Sequence, residues 1–323
     1  MSAKVLILGN RLLGGMCLDF LAALEGVEIL LVLNPDDDGV DGPGGISLKR
    51  RAAAWGIRTI QPAGIGDPEV KRSLREFEPD LGLSFSYARI IPQEIIDLPK
   101  SGFLNVHFAD LPKNRGCLPV VWTIASGADH YAATLHEVTA ELDQGAILSQ
   151  ARAPLTEGLT AADIYSACAH LGFGLFREFW ADWSKTRAFK STPQDETAVT
   201  YHKMRFPHDR WIQWAQPAPR VARLINALTY FPHPCARTYD AGGKEIGLMG
   251  PAIPLPQERL GQHGIPGSIL ITECGLAIRC AEGSVLVHQV RIGDTLNAFS
   301  DYIASHPEGR QHFSSPETPE YSE

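Results

Sequence analysis

"KVLILGNRLLGGMCLDFLAALEGVEILLVL", residues 4 to 33, reads as a buried strand, a tight turn, an amphipathic helix and a second buried strand. Strands that are apolar at nearly every position are covered on both faces, and a helix between them is the crossover that parallel pairing needs. The alternation continues outward from this unit. "SLKRRAAAWG" has the pattern of a helix, "IRTIQP" of a strand, "PEVKRSLREFEP" of a helix and "LGLSFSY" of a strand; "PQEIIDLP" follows as a short helix before the strand "GFLNVHF". The fold class expected is therefore α/β, with a Rossmann-like, mostly parallel sheet whose sites lie beyond the carboxyl ends of its strands.

"YAATLHEVTAELDQGAILSQARAPL" reads as two extended segments around a turn, and "AADIYSACAHLGFGLFREFWADWSK" has the helical periodicity that closes a first domain, residues 1–186. A polar, proline-broken stretch, 187–210, reads as a linker. From 211 to 305, one helix, "PAPRVARLINAL", and several short glycine-separated strands predict a small C-terminal β-barrel of OB-like type. The polar end, 306–323, is expected to be disordered. The role of the barrel is left open between lining a substrate pocket, pairing two subunits into a homodimer, and stabilising its neighbour.

With 323 residues, 44% hydrophobic and 20% charged, the chain has the composition of a soluble globular protein of two domains. Its 29 Lys and Arg against 37 Asp and Glu give a net charge of −8, so a general basic field for nucleic acid is missing and a nucleic-acid partner is not expected. Cys17, Cys117, Cys168, Cys235, Cys274 and Cys280 are scattered with no CxxC and no His at ligand spacing. Reduced thiols, a cytoplasmic location and no metal are the expectations. The N-terminal apolar run is too short for a signal peptide, and no later run approaches the roughly 20 residues of a membrane helix.

"GNRLLGG" departs from G-x-G-x-x-G and reads as a tight strand-to-helix turn, and "NPDDDGVDGPGG", residues 34–45, as a solvated loop. "FLNVHFADLPKNRG", residues 103–116, holds the stronger signal. In a strand, residues i and i+2 share a face, so Asn105 and His107 project side by side where the strand stops. A lone His there is more often structural. Asp143, in the glycine turn "ELDQGAI", supplies a third polar residue, which matches the logic of an oxyanion donor, a proton carrier and a group that orients it.

The series "GFLNVHFADLPKNRGCLPVVWTI" and "AATLHEVTAELDQGAIL" resembles the folate-dependent formyltransferase family, whose pattern is Asn-x-His, a Leu-Pro loop with Arg-Gly, a Thr-x-His strand and a distal Asp-x-Gly. "RFPHDRWIQWAQPAPRVARLINALTYFPHPCARTY" and "IPGSILITECGLAIRCAEGSVLVHQV" are similar to the linker, helix and barrel of the longer members, so the likeness spans nearly the whole chain. The resemblance implies residues 1–186 as the catalytic domain and Asn105, His107 and Asp143 as the catalytic set, with 10-formyltetrahydrofolate as co-substrate. It places Tyr87, Arg89, Ile90, Ile91, Leu104, Leu142 and Gly145 around the folate, Gly145 letting its loop approach the pteridine. It places Arg115, Gly116 and His136 toward the acceptor. For the aliphatics, plain core is an equal reading. For Arg115, a bidentate phosphate fork competes with a structural tie to its loop, and for His136 a strand-bracing role competes with a substrate contact. Where relatives have Ser-Leu-Leu-Pro, this chain has Ala109-Asp110-Leu111-Pro112, so a hydroxyl contact is lost and Asp110 either caps the turn or meets an amine.

The run "YHKMRFPHD" and "IQW" resemble the linker of the UDP-amino-arabinose branch, which makes the amine of a nucleotide-linked 4-amino sugar the acceptor expected first. A hydroxyornithine-type amine, methionyl-tRNA, and water in a formyltetrahydrofolate hydrolase are the alternatives. A non-catalytic binder would have no use for a proton carrier.

Overall fold

The computed structural model describes residues 2–42, 45–231, 233–256, 264–272, 275–305 and 312–316. The chain divides into two compact units. One contains residues 1–116, 132–153 and 166–201; the other contains 117–131, 154–165 and 202–323.

In chain order the elements of the first half are β1 (Ala3–Gly9), α1 (Arg11–Ala22), β2 (Val27–Leu33), α2 (Leu48–Trp55), β3 (Arg58–Ile60), α3 (Pro68–Phe77), β4 (Leu81–Phe85), α4 (Gln93–Ile96), β5 (Phe103–His107) and the two-residue β6 (Arg115–Gly116). There follow α5 (Pro119–Ser126), β7 (His130–Glu137), β8 (Ile147–Pro154), the long α6 (Ala161–Thr186) and the two-residue β9 (Tyr201–His202). A seven-stranded sheet runs in the order β3-β2-β1-β4-β5-β7-β8. Its pairs are parallel from β3 to β5, and β7 runs antiparallel to β5. The α/β expectation holds, with the chain reversing direction across the sheet between β1 and β4.

Local chemistry explains the element ends. Asn10 caps α1 through its side-chain oxygen. Asp67 accepts from Glu69 and Val70 N–H at the start of α3, with Pro68 at the first helical position, where its missing N–H costs nothing. Period-2 alternation divides the strands between two cores. Val5, Ile7, Leu104 and Val106 join Phe176 and Trp183 on one face, while Leu6, Leu8 and Phe103 join Val70 and Phe77 on the other. Asn105 and His107, in phase with Phe103, therefore point to the second face at the carboxyl end of β5.

The second unit holds α5, α7 (Ala218–Ala227) and two four-stranded sheets. The first sheet, in the order β10-β11-β16-β17, is built of Ala236–Tyr239, Glu245–Met249, Gln289–Ile292 and Thr295–Ala298. The second, in the order β12-β15-β14-β13, is built of Ile253–Leu255, Ser284–Leu286, Gly275–Arg279 and Ile269–Thr272. All their described pairings are antiparallel, and α8 (Phe299–Ser305) follows β17. The unit is an antiparallel β domain, as the short strands predicted.

Three details differ from the sequence reading. The division is not a single cut near 186, because 117–131 and 154–165 group with the second unit and 187–201 with the first. Helix α5 was not anticipated; its β-branched run resembles a strand, although Pro119 at its first turn and Gly127 at φ 76 after its last are helix punctuation. Within the tail expected to be disordered, Phe313 is fully buried, and Ser314 exchanges backbone hydrogen bonds with Tyr239. Residues 306–311 and 317–323 lie outside the described residues.

Candidate active site

β5 and β7 bring the first residues together by register. Asn105 pairs with His136, and His107 with Thr134, across the antiparallel ladder. The Asn105 amide nitrogen lies 3.1 Å from His136 Nε2, and His136 Nδ1 lies 2.8 Å from the Glu137 carbonyl oxygen. A carbonyl only accepts, so Nδ1 carries the proton and Nε2 is left to accept from Asn105. This fixes the Asn105 amide with its NH2 toward His136, one N–H used and one to spare.

His136 is 2% exposed, and burial pushes its imidazole down to about 4, against the opposing pull of Asp143. His136 Nε2 lies 3.7 Å from Asp143 Oδ1, close enough for an ion pair were the ring charged. Desolvation outweighs that attraction, so the neutral ring is the state consistent with the Asn105 bond. His136 thus braces the carboxamide.

His107 is held differently. Its Nε2 donates to the Asn114 carbonyl at 2.8 Å, while its Nδ1 faces Asp143 Oδ2 at 3.6 Å. Neutral, it presents a lone pair at Nδ1; protonated there, it faces a carboxylate. Asp143 Oδ2 also accepts from Gly116 N–H at 2.8 Å. Asp143 sits at φ 57 in the turn between β7 and β8, a left-handed conformation that Asp tolerates better than most residues.

Other expected site residues fall in different places. The segment after β4 is held by Asn34, whose side chain accepts from Ala88 N–H at 3.1 Å and donates to Ser86 O at 3.3 Å. Ile90 on that segment is 85% exposed and Arg89 is exposed, whereas Tyr87 and Ile91 pack partly against the core. Burial raises the Tyr87 phenol above its ordinary value. Leu142 stands exposed next to Asp143.

Leu104 and Arg115 stand differently from the placement expected of them. Leu104 is fully buried on the opposite face of β5 from Asn105 and His107, because adjacent strand residues alternate, and it belongs to the core. Arg115 is 2% exposed and forks to Gln194 and Glu196 instead of opening to a phosphate. It holds the Glu196 carboxylate below its ordinary range. At Gly145, a Cβ would lie 2.6 Å from the Glu137 carbonyl carbon and closer still to its oxygen. Asp110 forms an ion pair with Arg152 at 2.6 Å.

The sequence reading missed Asn114, Gln194 and Glu196. Gln194 donates to the Asp143 and Gly145 carbonyls at 2.8 and 2.7 Å. Nothing local marks a glutamine in a polar stretch as the partner of a turn some fifty residues earlier. Among the described residues, no group of three or more His, Cys, Asp or Glu is placed to hold a metal ion, and no helix is long and apolar enough to cross a membrane.

A donor beside a proton-accepting imidazole, backed by a carboxylate at the carboxyl end of a parallel strand, suits transfer of a carbonyl group to a nucleophile that must lose a proton. Residues 25–178 match the formyl transferase family, and residues 206–306 match the formyl transferase C-terminal domain. The methionyl-tRNA formyltransferase of Thermobifida fusca is 32% identical over 283 residues, 86% of each chain. That of Acidithiobacillus ferrooxidans is 34% identical over 241 residues, 73% of each. Among solved structures, an N-formyltransferase from Helicobacter canadensis, in complex with folinic acid and dTDP-3-aminofucose, superposes with a TM-score of 0.69 at 18% identity, over 88% of this chain and 98% of that one. HypX from Aquifex aeolicus, in complex with tetrahydrofolic acid, gives 0.66 at 19% identity over 100% of this chain and 51% of its own. The chain belongs to the formyl transferase family and is an enzyme of formyl transfer.

The His136 assignment predicts a pH dependence of stability. Its folded value of about 4 lies below the ordinary value of 6.5, so the unfolded chain binds more protons between the two. Its contribution is complete above pH 6.5 and is lost as pH falls toward 4, reaching about 2 kcal/mol of loss by pH 5. Urea unfolding at pH 8 and pH 5 should show this excess loss in the wild type and not in His136→Asn. Equal losses in both would place the acid sensitivity elsewhere.

Proposed function

We infer that the chain transfers the formyl group of 10-formyltetrahydrofolate to the amine of a small substrate, a nucleotide-linked 4-amino sugar. The observation that carries the reading is the juxtaposition of Asn105, His107 and Asp143, with the Asn105 amide oriented by a neutral His136. The amine nitrogen attacks the formyl carbon, and the carbonyl electrons move onto oxygen. The spare Asn105 N–H is the donor for that oxyanion, an interaction worth a few kcal/mol in the transition state. His107 takes the amine proton at Nδ1, where the Asp143 carboxylate favours the resulting charge. The adduct then collapses: the oxyanion re-forms the C=O bond, the new C–N bond remains, the bond from carbon to the folate nitrogen breaks, and that nitrogen takes the proton carried by His107.

Charge supports a small acceptor. Residues 240–323 carry 11 Asp and Glu against 5 Lys and Arg, a poor surface for neutralising tRNA phosphates. Formylation of methionyl-tRNA is the second reading, favoured by the names of relatives 27–34% identical to this chain. With Arg115 engaged by Gln194 and Glu196, neither reading assigns it a phosphate.

Mass spectrometry of reactions with 10-formyltetrahydrofolate and UDP-4-amino-4-deoxy-L-arabinose, hydroxyornithine or methionyl-tRNA decides among acceptors. A gain of one formyl group on the sugar nucleotide is the expected result. Formylation of methionyl-tRNA alone would replace the sugar reading, and folate turnover with no amine present would identify a hydrolase.

A further inference from the structure

Gln194 is 9% exposed and uses all of its side-chain hydrogen-bonding capacity on one task. Its amide nitrogen gives both protons to a single turn, to Asp143 O at 2.8 Å and Gly145 O at 2.7 Å. Its oxygen accepts from Arg115 Nε at 3.0 Å and Nη2 at 2.8 Å. The orientation of the amide is therefore unambiguous, since a guanidinium only donates and a carbonyl only accepts. Arg115 is anchored in turn by two contacts to Glu196, at 2.7 and 3.2 Å, and by its own N–H donating to Thr200 O at 2.9 Å.

The same strand holds the other end of the acid. Gly116, next to Arg115, donates its N–H to Asp143 Oδ2. Asp143 is thus gripped twice: at its backbone through Gln194, and at its carboxylate through Gly116. Its left-handed backbone, φ 57, is the kind of conformation that persists when surroundings over-determine it.

We propose that Gln194 is a positioning residue for formyl transfer, setting where the Asp143 carboxylate stands against His107 Nδ1. The proposal rests on the reading of Asp143 and His107 as the proton-handling pair. A donor lost from this clamp frees the turn to shift, and a displacement near 1 Å in a reacting constellation costs about 100-fold in rate.

Gln194→Glu is the sharpest probe. It keeps length, volume and the pairing with Arg115, but it turns two donated hydrogen bonds into an oxygen facing two carbonyl oxygens. Gln194→Met removes the same bonds without a new charge and serves where the glutamate variant does not fold. The readout is release of tetrahydrofolate from 10-formyltetrahydrofolate, with UDP-4-amino-4-deoxy-L-arabinose, with whichever amine the acceptor screen selects, or with water alone. Each Gln194 variant is measured in the wild-type and the Asp143→Asn background.

In the wild-type background kcat is expected to fall about 10–100-fold, with KM for the folate changing less than about threefold. In the Asp143→Asn background the same change should cost less than about threefold, because the group being positioned is gone. Wild-type kcat in a folded Gln194 variant overturns the proposal, and so does an equal loss in both backgrounds, which marks a purely structural role. Should Asp143→Asn alone run at the wild-type rate, the reading of Asp143 itself falls, and the positioning role with it. A slow Asp143→Asn beside a fully active Gln194→Glu removes only the positioning role.

Discussion

Replacing His107 by Ala is expected to lower kcat for formyl transfer by about 10²–10⁴-fold, the range that a positioned general acid–base contributes. The fold should persist. His107 is one buried ring at the end of β5, and its deletion leaves the Asn114 carbonyl without that donor, a loss of about 1–3 kcal/mol in a unit with two cores. Asn105→Ala should cost about 10²–10³-fold, as removal of a single oxyanion donor does. It should also leave His136 Nε2 without the donor it now accepts from. The two losses differ in kind. His107→Ala removes the base, so a small exogenous amine such as imidazole should restore part of its rate and none of the rate of Asn105→Ala. Circular dichroism and thermal melts establish that each variant is folded, and kcat is read at saturating folate and acceptor. Turnover within about threefold of wild type in folded His107→Ala would remove the assigned proton path.

The part of this site legible in the sequence is the part made by one strand and one turn. Asn105 and His107 share a face because strands alternate, and the structure gives that face to both. Asp143 is legible as an acid in a glycine turn, and its carboxylate lies 3.6 Å from His107 Nδ1 and 3.7 Å from His136 Nε2. Applied fully, the same alternation would have excluded Leu104, which must face away when Asn105 faces in. Arg115 could not be read locally, because its meaning depends on Gln194 and Glu196, 79 and 81 residues further along. A buried Arg forked to a Gln and a Glu has the same local sequence as one awaiting a phosphate. The polar 187–210 stretch looked like a linker for a related reason: composition reports that a segment has little apolar area to bury, and it is silent on whether its polar groups close a network. The apolar strands and α6 were legible because their burial is written in their own periodicity.

Gly145→Ala is expected to be among the most damaging single-methyl changes in the first unit. The added Cβ would stand 2.6 Å from the Glu137 carbonyl carbon, inside contact distance of a backbone atom with no side-chain freedom to yield. The strand cannot retreat easily. Glu137 N–H donates to Ala146 O at 2.9 Å, and His136 Nδ1 donates to the Glu137 carbonyl, so the peptides on either side of Glu137 are each held by a hydrogen bond. The turn must therefore move, breaking its bonds to Gln194 and carrying Asp143 with it. Overpacking of this kind costs about 1–3 kcal/mol of stability, and the displaced carboxylate adds a rate loss near 100-fold. The two effects separate by measurement. Chemical denaturation reads the first, and kcat at a temperature well below the transition reads the second. A variant that loses stability yet keeps wild-type kcat would show that the turn can shift without moving the Asp143 carboxylate. That outcome would assign Gly145 to packing alone and would detach the placement of Asp143 from the path of its own backbone.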